Sequence, residues 1–228
     1  MNPTLPQPTS DARDASLSLQ NLIRSEINKY DGWIPFSRFM EQALYAPVYG
    51  YYTGGAHKIG AAGDFITAPE LSPLFGQALA RQIKDLLPQT GGEVYEFGAG
   101  TGALAATLLP ELAEAGLQRY CIIEVSPELA ERQRERIRQS APELADKVVH
   151  LSELPESFDG IIIGNEVLDA MPCEVVRYSE SGFEQAGVSL NLSDRHFEFA
   201  YRPLNDPDLL ATAAAYFPAL PGYTSELH

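Results

Sequence analysis

Long apolar runs are missing from this 228-residue chain, and with them any segment that reads as a bilayer span. The opening MNPTLPQPTSDARDAS has neither a basic end nor a hydrophobic stretch, so it does not read as a targeting signal, and residues 1–15 are expected to be a disordered tail. Positive charge is scarce: 16 Lys and Arg stand against 31 Asp and Glu, a formal net charge of −15. Nucleic-acid binding draws on clustered cations, so a polyanionic partner is disfavoured and a basic client favoured. Cysteine is nearly absent. Cys121 and Cys173 have no metal-ligand spacing and form no disulfide framework, so no metal site is expected and a reducing, cytoplasmic location fits best.

What is present, 45% hydrophobic and 21% charged residues, belongs to an ordinary globular protein able to bury a sizeable core. Leu17, Leu19, Leu22, Ile23 and Ile27 make a helical stripe from Ser16 to Tyr30, followed by Gly32. A second helix is predicted from a Ser37 cap to Tyr45, before Pro47. Ser72-Pro73 opens another, with Leu74, Phe75, Ala78, Leu79, Ile83 and Leu86 facing inward. After Gly91-Gly92 the pattern becomes strand, glycine loop, helix, strand, helix, strand, strand, the order of a parallel sheet with covering helices.

Strands are placed at Glu93–Phe97, Arg119–Val125, Lys147–His150 and Gly160–Gly164, the last with an apolar IIIG that reads as buried on both faces. Pro110 removes a backbone donor inside a helix spanning 102–115 and predicts a bend. From Cys173 to Pro203 the runs CEVVRY, FEQAGVSLNL and HFEFAY alternate between turn signals, as antiparallel hairpins do. The chain therefore divides into a tail (1–15), a helical and lid region (16–90), a Rossmann-like core (91–172) and a hairpin insertion with a shortened end (173–228).

In that core EFGAGTG (96–102) turns the chain sharply and lets a ligand lie against its backbone. Gly98, Gly100 and Ala103 also satisfy the dinucleotide fingerprint, so a nicotinamide-dependent oxidoreductase is one reading. Glu96 separates the two readings. A carboxylate at the mouth of the loop repels a pyrophosphate and suits the ammonium of S-adenosyl-L-methionine, which has no phosphate. From Gly102 to Glu124 is 22 residues, close to the roughly 20 expected of an acid that binds a ribose diol. Glu124 equally reads as a helix-start acid before Ser126-Pro127. Ser152, Glu153 and Leu154, after the third strand, would flank an adenine.

The fourth strand leads directly into NEVLDAMP. Asn165 offers an amide carbonyl, and Glu166 and Asp169, three apart, would share a face on a helical turn and hold a cationic acceptor such as a guanidinium. The plainer reading is an N-cap asparagine with first-turn acids. Upstream, Gly60 and Gly63 make Asp64 mobile or sharply turned, and Phe65 supplies an apolar cover, as in a loop that closes over a cofactor.

GYY (50–52), IGAAGDFITAPELSPLFG (59–76), EFGAGTG, IIEVSPELAERQ (122–133) and NEVLDAMP together resemble the MidA family of class I S-adenosyl-L-methionine-dependent methyltransferases, from about Trp33 to Pro172. The resemblance implies an α/β fold: a Rossmann-like class I methyltransferase parallel sheet with N-terminal helices and an antiparallel hairpin insertion. By it Glu96, Gly98, Gly100 and Gly102 bind the methionine part and Glu124 the ribose. Asp64, Phe65, Thr67, Pro69 and Glu70 line a lid, and Asn165, Glu166 and Asp169 the transfer site. It implies protein arginine methylation, since the mitochondrial member acts on a respiratory complex I subunit and is needed for its assembly. The alternative is an assembly factor that binds the cofactor without transferring its methyl. Family members continue with further parallel strands, whereas GYTSELH reads as the start of a helix at a C-terminal truncation that leaves a sheet edge unpaired.

Overall fold

The computed structural model describes residues 8–54, 66–191, 193 and 196–228, which form two compact units. One combines the chain up to Gly55 with Ala170–His228, and the other is the continuous stretch Ala56–Asp169. No helix among the described residues is long and apolar enough to cross a membrane. Cys121 and Cys173 are free thiols.

The first unit begins with α1 (Ser10–Lys29), β1 (Trp33–Pro35) and α2 (Phe36–Tyr45). Helix α1 starts at Ser10, with the Thr9 side chain accepting from the Ala12 N–H, so residues 10–15 are helix and not tail. The cap was hidden because the residues it precedes, DARDAS, carry no apolar stripe. Ile23 and Ile27 are buried with Ile34 and Val188, while Leu17, at the exposed end of the predicted stripe, is 54% exposed. Ser37 does not cap α2. It lies inside the helix, and its hydroxyl donates to Glu174.

The second unit contains α3 (Ala68–Leu71), α4 (Pro73–Leu86), β2 (Glu93–Phe97), α5 (Ala103–Ala113), β3 (Arg119–Ile123), α6 (Pro127–Ser140), β4 (Val148–Leu151) and β5 (Gly160–Gly164). Among the described residues its four strands are all parallel, in the order β4-β3-β2-β5. Alternation along β2 and β3 sends Val94, Tyr120 and Ile122 to one face, against Ile83 of α4, Leu104, Leu108 and Leu112 of α5, and Ile137 of α6. Tyr95, Cys121 and Ile123 go to the other.

Ser72 caps α4 as expected, but the buried stripe is Gly76, Ala80 and Ile83, and Leu74, Phe75, Ala78 and Leu86 face outward. Gly76 decides this: a Cβ there would lie 2.7 Å from the Thr107 side chain, so α4 and α5 meet at the glycine. Strand β5 is an edge, which leaves Ile162 46% exposed although IIIG reads as buried on both faces.

The first unit resumes with β6 (Glu174–Ser179), β7 (Gly182–Leu190), β8 (Phe197–Pro203), α7 (Pro207–Tyr216) and β9 (Thr224–Leu227). The hairpins form as predicted. β8 runs along one edge of β7, while β6 and β1 share the other. TSEL is a strand paired antiparallel with β6, with alternating burial, and not the start of a helix. A Cβ on Gly187 would meet the Trp33 ring at 2.2 Å and the Ile34 carbonyl at 2.3 Å. Gly187→Ala is therefore expected to cost about 2–3 kcal/mol by forcing β1 away from β7, measured as a lower midpoint in chemical denaturation.

Candidate active site

Strand β2 ends at Phe97, and the chain then turns through Gly98, Gly100 and Gly102 with φ of 58°, 56° and 81°. Side-chain-bearing residues avoid this left-handed region, so the alternation of glycine is what lets the loop exist. The Gly98 N–H donates to the Ile123 carbonyl (3.1 Å), and the Gly102 N–H to Ala99 (2.8 Å). Gly102 is the N-cap of α5, so the loop closes on a helix N-terminus.

Glu96 lies deeper than the mouth position expected of it. It is 3% exposed and shares the inner face of the sheet with Tyr120, whose hydroxyl donates to its carboxylate at 2.7 Å. Burial pushes the Glu96 carboxyl up to about 7, against the opposing pull of the Tyr120 bond. Burial first, and then the carboxylate, raise the Tyr120 phenol well above its ordinary value, so it remains a donor.

Glu124 follows β3. Its Oε1 accepts from the Ser126 N–H (2.8 Å) at the head of α6, and its Oε2 from the Gln133 amide (3.0 Å). Both readings of this residue are thus compatible, because each oxygen retains a second lone pair for a hydroxyl. Burial raises its pKa, opposed by those two hydrogen bonds. Gln133 also donates to the Gly100 carbonyl (2.9 Å), and its own carbonyl meets His150 Nε2 (3.1 Å). Burial lowers the His150 pKa.

A cradle of left-handed glycines beside a helix N-terminus, flanked by Glu96 and Glu124, fits a ligand with an ammonium and a ribose better than a diphosphate, and the guanidinium of Arg136, which donates to Thr101 of the loop, is paired with Glu70. Among protein families, that of S-adenosyl-L-methionine-dependent methyltransferases matches residues 74–228. The chain belongs to this family. Relatives include the mitochondrial protein arginine methyltransferase NDUFAF7 homolog of Drosophila melanogaster, 26% identical over 96% of this chain and 55% of that protein. Human NDUFAF7 is 26% identical over 78% of this chain and 47% of its own length. The chain therefore spans about half the length of these curated relatives. A Burkholderia thailandensis crystal structure bound to S-adenosyl-homocysteine superposes with a TM-score of 0.84 at 47% identity, over 99% of this chain and 59% of that one.

The family's cofactor gives the other predicted residues a common reference. Ser152 and Glu153 are exposed after β4, and Leu154 packs partly against Tyr95, Cys121 and Ile123. Asn165 is half-buried, and Glu166 and Asp169 are exposed. The shared helical face of Glu166 and Asp169 does not form: Glu166 has φ 54°, and only Leu168–Ala170 makes a helical turn. That turn of chain brings Val167 under the glycine loop, 3.4 Å from where a Gly98 Cβ would stand. Of the lid positions, Asp64 and Phe65 lie outside the described residues. Thr67 precedes α3, Pro69 is half-buried, and Glu70 accepts from Thr101 of the glycine loop and from Arg136 of α6 (3.0 Å).

Sequence reasoning missed Tyr120, Gln133, His150 and Arg136. One signal was available. Ala130, Gln133 and Ile137 recur at helical spacing as the buried stripe of α6, and a glutamine at the centre of such a stripe requires buried polar partners.

Proposed function

We propose that this chain is the cofactor-binding portion of a protein arginine methyltransferase. The observation that carries the reading is the run of three left-handed glycines over a buried carboxylate, in a chain whose fold follows an S-adenosyl-homocysteine-bound relative across 99% of its length. Bound there, S-adenosyl-L-methionine supplies an electrophilic methyl group on a sulfonium.

The chain's own residues do the rest. Gly98, Gly100 and Gly102 give the methionine part access to the backbone, and Glu96 supplies negative charge for its ammonium. Glu124 accepts from the ribose hydroxyls, with Ser152, Glu153 and Leu154 beside the adenine. Asn165, Glu166 and Asp169 engage a guanidinium, orient its nitrogen lone pair and accept the released proton. Ordering two reactants in this way is worth about 7–11 kcal/mol in favourable cases. The net charge of −15 suits a basic peptide segment as acceptor. The client class is a protein arginine, for which the resemblance names a respiratory-complex subunit.

Calorimetric titration of the chain is expected to give binding of S-adenosylhomocysteine and none of NADH, and labelled methyl is expected to pass to an arginine-rich client. Asp169→Ala is expected to cut that transfer roughly a hundredfold while leaving S-adenosylhomocysteine affinity within about threefold. Cofactor binding without any label on a client would favour the assembly-factor reading, and tight NADH binding would sink both.

A further inference from the structure

Gln133 is fully buried and bridges three elements of the cofactor unit: the glycine loop through Gly100, the end of β3 through Glu124, and β4 through His150. The Gly100 carbonyl and the Glu124 carboxylate can only accept, so the Gln133 amide nitrogen must face them with its two hydrogens. Its carbonyl then faces His150, whose Nε2 must carry the hydrogen. Turning the amide over would set three acceptors against one another. One side chain therefore satisfies both halves of the cradle at once, and its orientation, dictated by the two acceptors, sets the histidine tautomer.

The loop has no slack at this point, since a Cβ on Gly102 would stand 3.2 Å from the Gln133 Cα. In a trans peptide the C=O and the following N–H point in opposite directions. Holding the Gly100 carbonyl toward α6 thus turns the Thr101 N–H away from that helix.

We propose that Gln133 is a positioning residue for cofactor binding: it locks the methionine-side loop to the ribose acid Glu124, and His150 braces it by donating to the carbonyl of the same amide. The inference rests on the cofactor reading above. A preorganised loop and acid bind both ends of one ligand without first being ordered, so loosening the lock lowers affinity even though Gln133 itself touches no ligand.

Gln133→Glu keeps the size and replaces both donors by acceptors. Near pH 8 its Kd for S-adenosylhomocysteine is expected to be at least about tenfold above that of the unaltered chain. Near pH 6 the introduced carboxyl, its pKa raised by burial beside Glu124, regains an O–H donor, and the ratio of the two Kd values is expected to fall at least about threefold. A role in packing alone would give one ratio at both pH values. His150→Phe keeps a ring and deletes the N–H, and is expected to weaken binding about threefold or more. It also decides the matter if the Glu variant does not fold. Folded variants that bind within about twofold of the unaltered chain, or a ratio independent of pH, overturn the proposal. Failure of the unaltered chain to bind S-adenosylhomocysteine would overturn the cofactor reading instead.

Discussion

Glu96→Gln is expected to stabilise the ligand-free chain near pH 8 by about 3 kcal/mol and to weaken S-adenosylhomocysteine binding by roughly ten- to a hundredfold. The two effects have opposite signs for one reason. A glutamate ionises near 4.5 in the unfolded chain, and burial moves this one to about 7 in the fold. Below the lower value both states hold the proton and no stability is lost. Between the two values the unfolded chain releases its proton and the folded chain does not, so stability falls as pH rises and levels off above about 7. At about 1.4 kcal/mol per pH unit, the interval amounts to about 3 kcal/mol.

Glutamine accepts the same Tyr120 hydrogen bond and carries no charge to desolvate, so that loss disappears. What disappears with it is the charge that a ligand ammonium meets, since a cation drives the carboxyl to its ionised form and so binds with proton release below about pH 7. Denaturant midpoints across pH 4 to 8, set beside titrations in buffers of different ionisation enthalpy, measure both effects. A pH-independent midpoint difference between variant and parent would contradict the account of burial, and unchanged affinity would contradict the role given to the charge.

Gly102→Val is expected to destabilise the cofactor unit by about 3–5 kcal/mol and to abolish detectable S-adenosylhomocysteine binding. A left-handed φ of 81° costs an L residue about 1–2 kcal/mol, and more when it is β-branched. The new side chain would also press on the Gln133 backbone at 3.2 Å, and crowding of this kind adds about 1–3 kcal/mol. Gly116 separates the two contributions, because it has φ 95° but nothing within 4 Å of a Cβ. Gly116→Ala should therefore cost only the backbone share, about 1–2 kcal/mol, and leave affinity unchanged. Equal losses at the two glycines would mean that the Gln133 contact carries no weight.

The frame of the fold could be read directly because its signals are local. Glu93–Phe97 and Gly160–Gly164 have the bounds predicted for them, and Ser72-Pro73 caps α4, since a strand period or a cap depends only on neighbouring residues. The glycine loop belongs to the same class, for positive φ is a property of the residue itself. Errors arose where a partner distant in sequence decides. Leu74 and Phe75 look outward because Gly76 sets the line of contact with Thr107, and Ser37 serves Glu174 and not its own helix. Within the candidate site, Glu96 lies deeper than its position in the sequence suggests, because its depth depends on Tyr120, 24 residues away. Gln133 went unnoticed because its three partners lie on three separate elements. Glu166 and Asp169 were read through helical spacing, which a single positive φ cancels.

The cofactor unit occupies one uninterrupted stretch, Ala56–Asp169, whereas its companion is assembled from pieces on both sides of that stretch. A ribosome releasing the chain from its N-terminus therefore delivers β2 to β5 before β7 exists to receive β1. Throughout that interval Ile23 and Ile27 have no Val188 to cover them, and a nascent polypeptide carries the apolar stripe of α1 without that cover through more than a hundred residues of synthesis. Early folding of the inserted stretch replaces that floppy span by a compact body and cuts the loop-closure entropy of the final β1–β7 pairing, about 4 kcal/mol for an unstructured loop of that length. Biogenesis is thus ordered by topology, and the vulnerable species, the one a holdase would recognise, is the half-made protein in which β2 to β5 are already paired.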